Sequence, residues 1–115
     1  VWGARIEKEL PFVDFINGLN EDEIYSEVTQ GKIKTYFTCT REDYKNTGRV
    51  TTAMYSGDVQ SKLGLDKLDP EHDRVMICGG IEMNLELQEY LEEQGFTEGN
   101  NKTPGEYVVE RAFVG

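Results

Sequence analysis

In the first third of the chain, the pattern of apolar and polar side chains predicts the end of a strand and two helices. Residues 1–4 have the pattern of the end of a β-strand. From Glu7 to Leu19 apolar side chains recur at every third position, a spacing that predicts a helix stopped near Gly18. A shorter helix is predicted over Asp22–Gln30, closed by Gly31.

The middle of the chain predicts one strand followed by short helices. Ile33–Thr40 is rich in β-branched and aromatic side chains, which favour a strand. A polar loop spans residues 40–49, and Val50–Ser56 predicts a short helix. Gly57–Asp73 predicts another short helical piece before the turn at residues 69–70.

The last third predicts a strand, a helix and a strand. Arg74–Cys78 is a short apolar run of the kind found in buried parallel strands. Glu82–Gln94 is the clearest helix of the chain, with Gly95 as its C-cap. Its apolar positions are Met83, Leu85, Leu87, Tyr90 and Leu91. Glu106–Val114 alternates between two sets of side chains and predicts a last strand.

Strands that alternate with helices predict the α/β class, here a three-layer α/β/α sandwich with a mainly parallel sheet. In such sheets ligands bind at the carboxyl ends of the strands. That rule selects the residues after Ala4, after Cys39 and after Cys78. With 115 residues the chain has the length of one domain, so residues 1–115 are expected to form a single domain.

The charge balance narrows the classes of ligand. The net charge is −10, and a uniformly acidic surface repels nucleic-acid phosphates and anionic membranes. No apolar run approaches the roughly 18–20 residues that cross a membrane, and no secretion signal is evident, so we expect a cytoplasmic protein. An anionic ligand would need a local cluster of arginines to oppose the overall charge.

The cysteines and the single histidine indicate no metal site. Cys39 and Cys78 are expected to be two buried, reduced thiols rather than a disulfide. One histidine and two distant cysteines do not have the spacing of zinc ligands. His72 precedes a strand, away from the expected ligand edge, and we expect it at the surface.

Three arginines fall at the predicted ligand edge. Arg5 follows the first strand, and Arg41 and Arg49 flank the loop after the second. Guanidinium groups bind phosphate oxygens in bidentate pairs, so this cluster in an acidic domain indicates an anion site. Three solvated loop arginines would give the same sequence, and the residues by themselves leave both interpretations open.

A second candidate is the turn after the third strand, Cys78-Gly79-Gly80. Glycines allow the backbone to approach a ligand, and the N-terminus of the following helix favours negative charge. The segment is not a GxGxxG fingerprint, however, and structural glycines at a strand–helix turn would look the same.

Several segments, in order along the chain, resemble bacterial ferredoxin (or flavodoxin)–NADP reductases. They are Gly3-Ala4-Arg5, Thr40-Arg41-Glu42 with Tyr44, Asn46 and Gly48-Arg49-Val50, Cys78-Gly79-Gly80-Ile81-Glu82-Met83, Gly95-Phe96, Pro104-Gly105-Glu106-Tyr107 and Val109-Glu110-Arg111-Ala112-Phe113-Val114. The resemblance covers essentially all 115 residues. Each motif is modest by itself, and together they are specific.

The resemblance implies a Rossmann-like NADP(H)-binding domain and a role for each matching residue. Arg41 and Arg49 would hold the 2′-phosphate of NADP, with Arg5 assisting and Thr40 adding a hydroxyl bond. Cys78 and Gly79 would lie near the nicotinamide, and Gly80 and Ile81 near the adenosine half. Ala112 and Phe113 would face the flavin ring. The implied catalytic residues are Cys78, Ala112 and Phe113.

The implied reaction is hydride transfer between NADPH and FAD, with single electrons then passed to a ferredoxin or flavodoxin. The flavin carries that chemistry and the protein orients it. Two alternatives stay open: a related flavin reductase with another electron acceptor, and a non-catalytic nucleotide-binding or assembly fragment. Acidic ferredoxins are not attracted to a charge of −10, so any docking face is expected on another domain.

Two parts of the family pattern have no counterpart in this sequence. They are the flavin-binding barrel with its Arg-x-Tyr-Ser motif, and the first strand with its Gly-Thr-Gly-type loop. We therefore expect a partial NADP(H)-binding domain, without an FAD site and inactive by itself. In the family's sheet order the lost strand leaves a gap of roughly 10 Å. We expect an altered sheet, or a homo-oligomer that fills the gap, and no bond between the two cysteines.

Overall fold

The computed structural model describes residues 1–10 and 13–111. The chain divides into two compact units, Val1–Leu65 and Asp66–Gly115. Each unit contains one two-stranded parallel sheet. Parallel strands need a crossover connection, and helices lie between the strands of both pairs. The predicted α/β class is confirmed.

In the first unit, strand β1 (Trp2–Ala4) pairs with strand β2 (Phe37–Cys39), and Ala4 lies opposite Cys39. The helices of this unit are α1 (Val13–Gly18), α2 (Ser26–Thr29), α3 (Val50–Ser56) and α4 (Asp58–Leu63).

Two small clusters of side chains form the core of the first unit. One contains Leu10, Phe37 and Cys39, and the other contains Tyr36, Ala53 and Val59. Strand β2 contributes Phe37 and Cys39 to the first cluster, and Tyr36, which directly precedes β2, belongs to the second. Full burial of one large aliphatic or aromatic side chain contributes about 1.5–3 kcal/mol.

In the second unit, strand β3 (Val75–Gly79) pairs with strand β4 (Tyr107–Arg111), in a register that sets Val75 opposite Tyr107. Helix α5 (Ile81–Glu93) connects them. It buries Asn84, Leu87 and Leu91.

The predicted helix over Glu7–Leu19 is interrupted. Glu7–Glu9 form one 3-10 turn, and α1 begins at Val13. The backbone of Leu10 has φ −99° and ψ 76°, outside the helical region. The next residue in the sequence is Pro11, and a proline disfavours the helical conformation of the residue before it.

The predicted strand over Ile33–Thr40 is shorter than expected. Its paired residues are Phe37–Cys39, and backbone hydrogen bonds continue beyond both ends of this pairing, from Trp2 N–H to the Tyr36 carbonyl at 2.9 Å and from Thr40 N–H to the Ala4 carbonyl at 3.0 Å. A strand extends only as far as its partner, and β1 has three residues. The prediction for α3 is confirmed in its bounds, and those for β3 and α5 agree to within one residue at each end.

No helix within residues 1–10 and 13–111 is both long enough and apolar enough to cross a membrane.

Candidate functional site

Strands β1 and β2 bring Arg5 and Arg41 to one edge of their sheet. The ladder continues beyond Cys39, because Thr40 N–H donates to the Ala4 carbonyl at 3.0 Å and Arg41 N–H donates to the Arg5 carbonyl at 2.9 Å. Arg5, Thr40 and Arg41 are all exposed. They lie at the carboxyl ends of two parallel strands, the position where ligands bind in α/β sheets.

The loop after β2 returns to the end of the same strand. Cys39 N–H donates to the Asn46 carbonyl at 3.2 Å, and Gly48 N–H donates to the Cys39 carbonyl at 2.9 Å. Gly48 has φ 111°, a left-handed conformation that favours glycine. Arg49 follows directly as the N-cap residue of α3 and is exposed. The two ends of the loop therefore place Arg41 and Arg49 beside the same strand end.

The guanidinium of Arg5 is bound by a carboxylate that the sequence analysis did not single out. Arg5 Nη2 lies 2.5 Å from Glu9 Oε1, and Arg5 Nε donates to Glu9 Oε2 at 3.2 Å. This hydrogen bond, with a smaller contribution from the charge of Arg41, holds the pKa of Glu9 below its usual value. The spacing of four residues was the signal in the sequence. Glu9 therefore occupies the Nε and Nη2 side of the Arg5 guanidinium and competes there with any anion.

The arrangement in the first unit suits an anion. Guanidinium groups present planar, permanently charged donors that match phosphate oxygens. Arg5 and Arg41 are joined by a backbone hydrogen bond at the end of the sheet, Thr40 precedes Arg41, and Arg49 follows Gly48, whose N–H donates to the Cys39 carbonyl. The residues present therefore fit a phosphate group.

In the second unit, Cys78, Gly79 and Gly80 form the end of β3 and the start of α5, as the sequence predicts. Gly80 is the N-cap residue of α5, with φ −68° and ψ 162°. The side chains of Cys78 and Ile81 are exposed. The four predicted residues therefore lie together at a strand end and a helix N-terminus.

Asn84 fixes this turn, and the sequence analysis missed it. Its Nδ2 donates to the Gly79 carbonyl at 3.1 Å, and its backbone N–H donates to the Gly80 carbonyl at 3.0 Å. The side chain is buried, and Oδ1 has no hydrogen-bond partner among the residues that the structure describes. The available signal was a polar residue three positions before Leu87 and seven before Leu91, on the buried stripe of the helix.

Gly79 is closely packed by the same helix. A Cβ atom at Gly79 would lie 2.2 Å from Cε of Met83 and 3.4 Å from Oδ1 of Asn84. Because Cε is the free end of a flexible side chain, a larger residue at position 79 would shift Met83 without moving the backbone of the helix.

Comparison with known proteins identifies the family. No protein-family profile matches the chain. The chain is 43% identical over 100 residues to the flavodoxin/ferredoxin–NADP reductase of Rhodobacter capsulatus, which is 87% of this chain and 37% of that protein. It is 44% identical over 113 residues to ferredoxin–NADP reductase A of Sorangium cellulosum, which is 97% of this chain and 41% of that protein.

The chain belongs to the ferredoxin–NADP reductase family. It spans about two fifths of the length of the curated relatives that it matches. A solved ferredoxin NADP+ reductase from Neisseria gonorrhoeae, with bound FAD and NADP, has the same fold, with a TM-score of 0.79. That match is 24% identical in sequence and covers 96% of this chain and 42% of the other. The family resemblance of the sequence is confirmed.

In this ferredoxin–NADP reductase chain the two cysteines differ. Both are free, so the prediction of no disulfide is confirmed. Cys39 is buried, and burial together with nearby carboxylates raises the pKa of its thiol. The prediction that Cys78 is buried is wrong, because on β3 the buried neighbour is Ile77 and side chains alternate between faces.

Two predicted flavin-facing residues of the family, Ala112 and Phe113, lie outside the described residues. Strand β4 is described as far as Arg111, whose backbone pairs with Gly79.

His72 is exposed, as predicted, and belongs to a turn of the second unit. Its Nδ1 lies 2.8 Å from Oδ2 of Asp69, whose Oδ1 accepts a hydrogen bond from the backbone N–H of Glu71 at 2.9 Å. Ligand atoms of these three residues lie within 4.8 Å of one another. Their mutual hydrogen bonds account for the cluster as part of an exposed turn.

Proposed function

We propose that this chain is the NADP(H)-binding module of a ferredoxin/flavodoxin–NADP reductase, and that Arg41 and Arg49 bind the 2′-phosphate with help from Arg5. One observation carries the proposal: the backbone hydrogen bonds at the end of β2 bring all three arginines to one sheet edge. The names of the relatives and the fold of the Neisseria reductase support the choice of nucleotide.

The proposed site selects NADP over NAD through one phosphate. NAD lacks the 2′-phosphate, so it cannot make the proposed phosphate contacts with the guanidinium groups of Arg41 and Arg49. Hydrogen bonds to charged groups contribute about 1.5–3 kcal/mol each, which is enough for strong selectivity. Thr40 is exposed and precedes Arg41 in the sequence, and in this proposal its hydroxyl donates to the same phosphate.

In the second unit we assign Cys78 and Gly79 to the nicotinamide, and Gly80 and Ile81 to the adenosine half of the nucleotide. The exposed Cys78 side chain and the Gly79 carbonyl held by Asn84 support this assignment. A bound flavin would supply the hydride chemistry. The residues of this chain bind and orient the nucleotide, and Ala112 and Phe113 are proposed to face the flavin ring. We assign no described residue to the flavin itself.

The reaction proposed for the whole enzyme is hydride transfer between NADPH and FAD, followed by single-electron transfer to a ferredoxin or flavodoxin. A related flavin reductase with another electron acceptor would use the same nucleotide site. A cytoplasmic location is proposed on the basis of the two free cysteines. A homo-oligomer that fills the gap left by the missing strand stays a prediction, for light scattering to test.

The proposed function is tested by calorimetric titration of the chain with 2′-phospho-AMP and with AMP. We expect 2′-phospho-AMP to bind at least about tenfold more tightly, and Arg41→Ala to remove most of that preference. Arg74→Ala is the matched control, because Arg74 lies in the second unit and donates to backbone carbonyls of its own turn. Equal affinity of the unchanged chain for both ligands would contradict the proposal.

A further inference from the structure

The loop that carries Arg41 and Arg49 is tied to helix α4 through the side chain of Lys62. Lys62 Nζ donates to Oδ1 of Asn46 at 2.6 Å, and it lies 3.1 Å from Oδ2 of Asp58. The ammonium group therefore joins a loop residue to a helix residue.

Asn46 attaches the loop to β2 through both its side chain and its backbone, beside the attachment made by Gly48. Its Nδ2 donates to the Phe37 carbonyl at 2.9 Å, and its own carbonyl accepts the N–H of Cys39 at 3.2 Å. Lys62 binds the remaining polar atom of the same amide, Oδ1. With all three contacts in place, the Asn46 side chain has one orientation, and the loop has one path back to the strand.

Asp58 connects Lys62 to the core of the first unit. Its Oδ2 accepts a hydrogen bond from the hydroxyl of Tyr36 at 2.6 Å, and Tyr36 is 3% exposed. Burial, followed by this hydrogen bond, raises the pKa of Tyr36 to about 12, so the hydroxyl stays a donor. The ammonium of Lys62 also lies 5.7 Å from the centre of the Tyr36 ring. A continuous series of contacts runs from a buried tyrosine to the loop.

We propose that Lys62 is a positioning residue for the nucleotide site: it holds the loop over residues 40–49 in the form in which Arg41 and Arg49 meet one phosphate. The role in ligand binding rests on the proposed function above, whereas the anchoring of the loop does not. Lys62 acts through Asn46 and does not itself touch the phosphate in this proposal. Because single exposed ion pairs are weak, the effect comes from the shared network of hydrogen bonds.

The test uses Lys62→Met, which keeps the aliphatic stem and removes the ammonium. Without it Oδ1 of Asn46 loses its partner, so the loop opens more often. We expect faster hydrogen exchange at the amide of Cys39, which donates to the Asn46 carbonyl, and at the amide of Gly48, which donates to the Cys39 carbonyl. We expect the affinity for 2′-phospho-AMP to fall about fivefold, with a smaller change for AMP.

Lys34→Met is the matched control. Lys34 also belongs to the first unit and donates from Nζ to the Leu63 carbonyl at 2.7 Å, at the end of α4. The substitution makes the same change in net charge and also removes one lysine hydrogen bond, but it leaves the loop contacts in place. Lys62→Arg replaces the ammonium with another group that can donate to Oδ1 of Asn46. This variant is expected to keep both the exchange protection and the affinity of the unchanged chain.

The two proposals fail in different ways. If amide exchange at Cys39 and Gly48 is the same in Lys62→Met as in Lys34→Met, the positioning role is wrong, whatever the ligand does. If the unchanged chain does not prefer 2′-phospho-AMP, the proposed function is wrong. The exchange rates then still test whether Lys62 anchors the loop. Should Lys62→Met fail to fold, Asn46→Ala removes the same contact from the loop side, and unchanged exchange at Gly48 in that variant would overturn the proposal.

Discussion

At the scale of single residues, Glu9 controls how available Arg5 is to a ligand. Its carboxylate binds the Arg5 guanidinium at two atoms and lies close enough to Arg41 for that charge to lower the pKa of Glu9. A carboxylate at this position both competes for Arg5 and repels an incoming phosphate. In the proposed site, Glu9 would therefore weaken the binding of a phosphate beside Arg5 and Arg41.

Glu9→Gln is expected to raise the affinity for 2′-phospho-AMP by about two- to fivefold, the range of one exposed ion pair. Calorimetric titration measures the change, and Glu23→Gln is a control of equal charge on an exposed residue of the same unit. An equal rise in both variants would attribute the effect to net charge rather than to Glu9.

The same substitution has a defined dependence on pH. The folded-state pKa of Glu9 is lowered, so its contribution to stability is present above the unfolded pKa of about 4.3 and is lost as the pH falls through the folded value. Urea unfolding is therefore expected to show Glu9→Gln less stable than the unchanged chain near neutral pH and equal to it in acid. A difference that persists in acid would point to packing instead.

The positions of the arginines along the backbone can be predicted from the sequence. The side chains that contact them cannot. Strand ends can be read from the sequence, and parallel strands bring their carboxyl ends together, which predicts that Arg5 and Arg41 are neighbours. The contacts of Glu9 and Asn84 depend on side-chain directions that only the packed structure sets. Asn84 in particular is a buried amide on a stripe where apolar residues are expected.

At the scale of elements, helix α5 shows which positions of an apolar pattern are buried in the fold. Its buried positions are Asn84, Leu87 and Leu91, while Leu85, which the pattern also marks, is 61% exposed. These buried positions follow one helical stripe, and Leu85 falls off it. The pattern predicted the helix correctly and one of its packing residues wrongly.

Leu91→Ala is expected to lower the free energy of unfolding by about 2–5 kcal/mol, because the leucine is 2% exposed and its loss leaves a cavity. Leu85→Ala, the matched control on the same helix, is expected to change it by less than about 0.5 kcal/mol. Urea unfolding of both variants checks this. Similar losses in the two would show that Leu85 packs against something in solution.

The other elements divide in the same way. Helix α3 and strand β3 are predicted well because local composition and turn residues define both ends. The helix after β1 is broken at Leu10 because the local effect of Pro11 outweighs a continuing apolar spacing. Strand β2 is short because its length depends on β1, a partner distant in the sequence.

At the scale of the whole molecule, a cluster of arginines lies in a chain of net charge −10. The overall charge opposes any anion, so only side chains held close together can produce a local positive site. In the proposed site, the hydrogen bonds at the end of β2 and the contact of Lys62 with Asn46 would hold Arg41 and Arg49 close together. The chain spans about two fifths of the length of its relatives.

A double-mutant cycle asks most directly whether Arg41 and Arg49 share one phosphate. 2′-Phospho-AMP and AMP are titrated into the unchanged chain, Arg41→Ala, Arg49→Ala and the double variant. Groups that bind one phosphate are coupled, so the losses for 2′-phospho-AMP should depart from additivity by about 0.5–3 kcal/mol, while AMP binds all four proteins alike. Losses that add to within about 0.5 kcal/mol, or no loss in either single variant, would contradict a shared site.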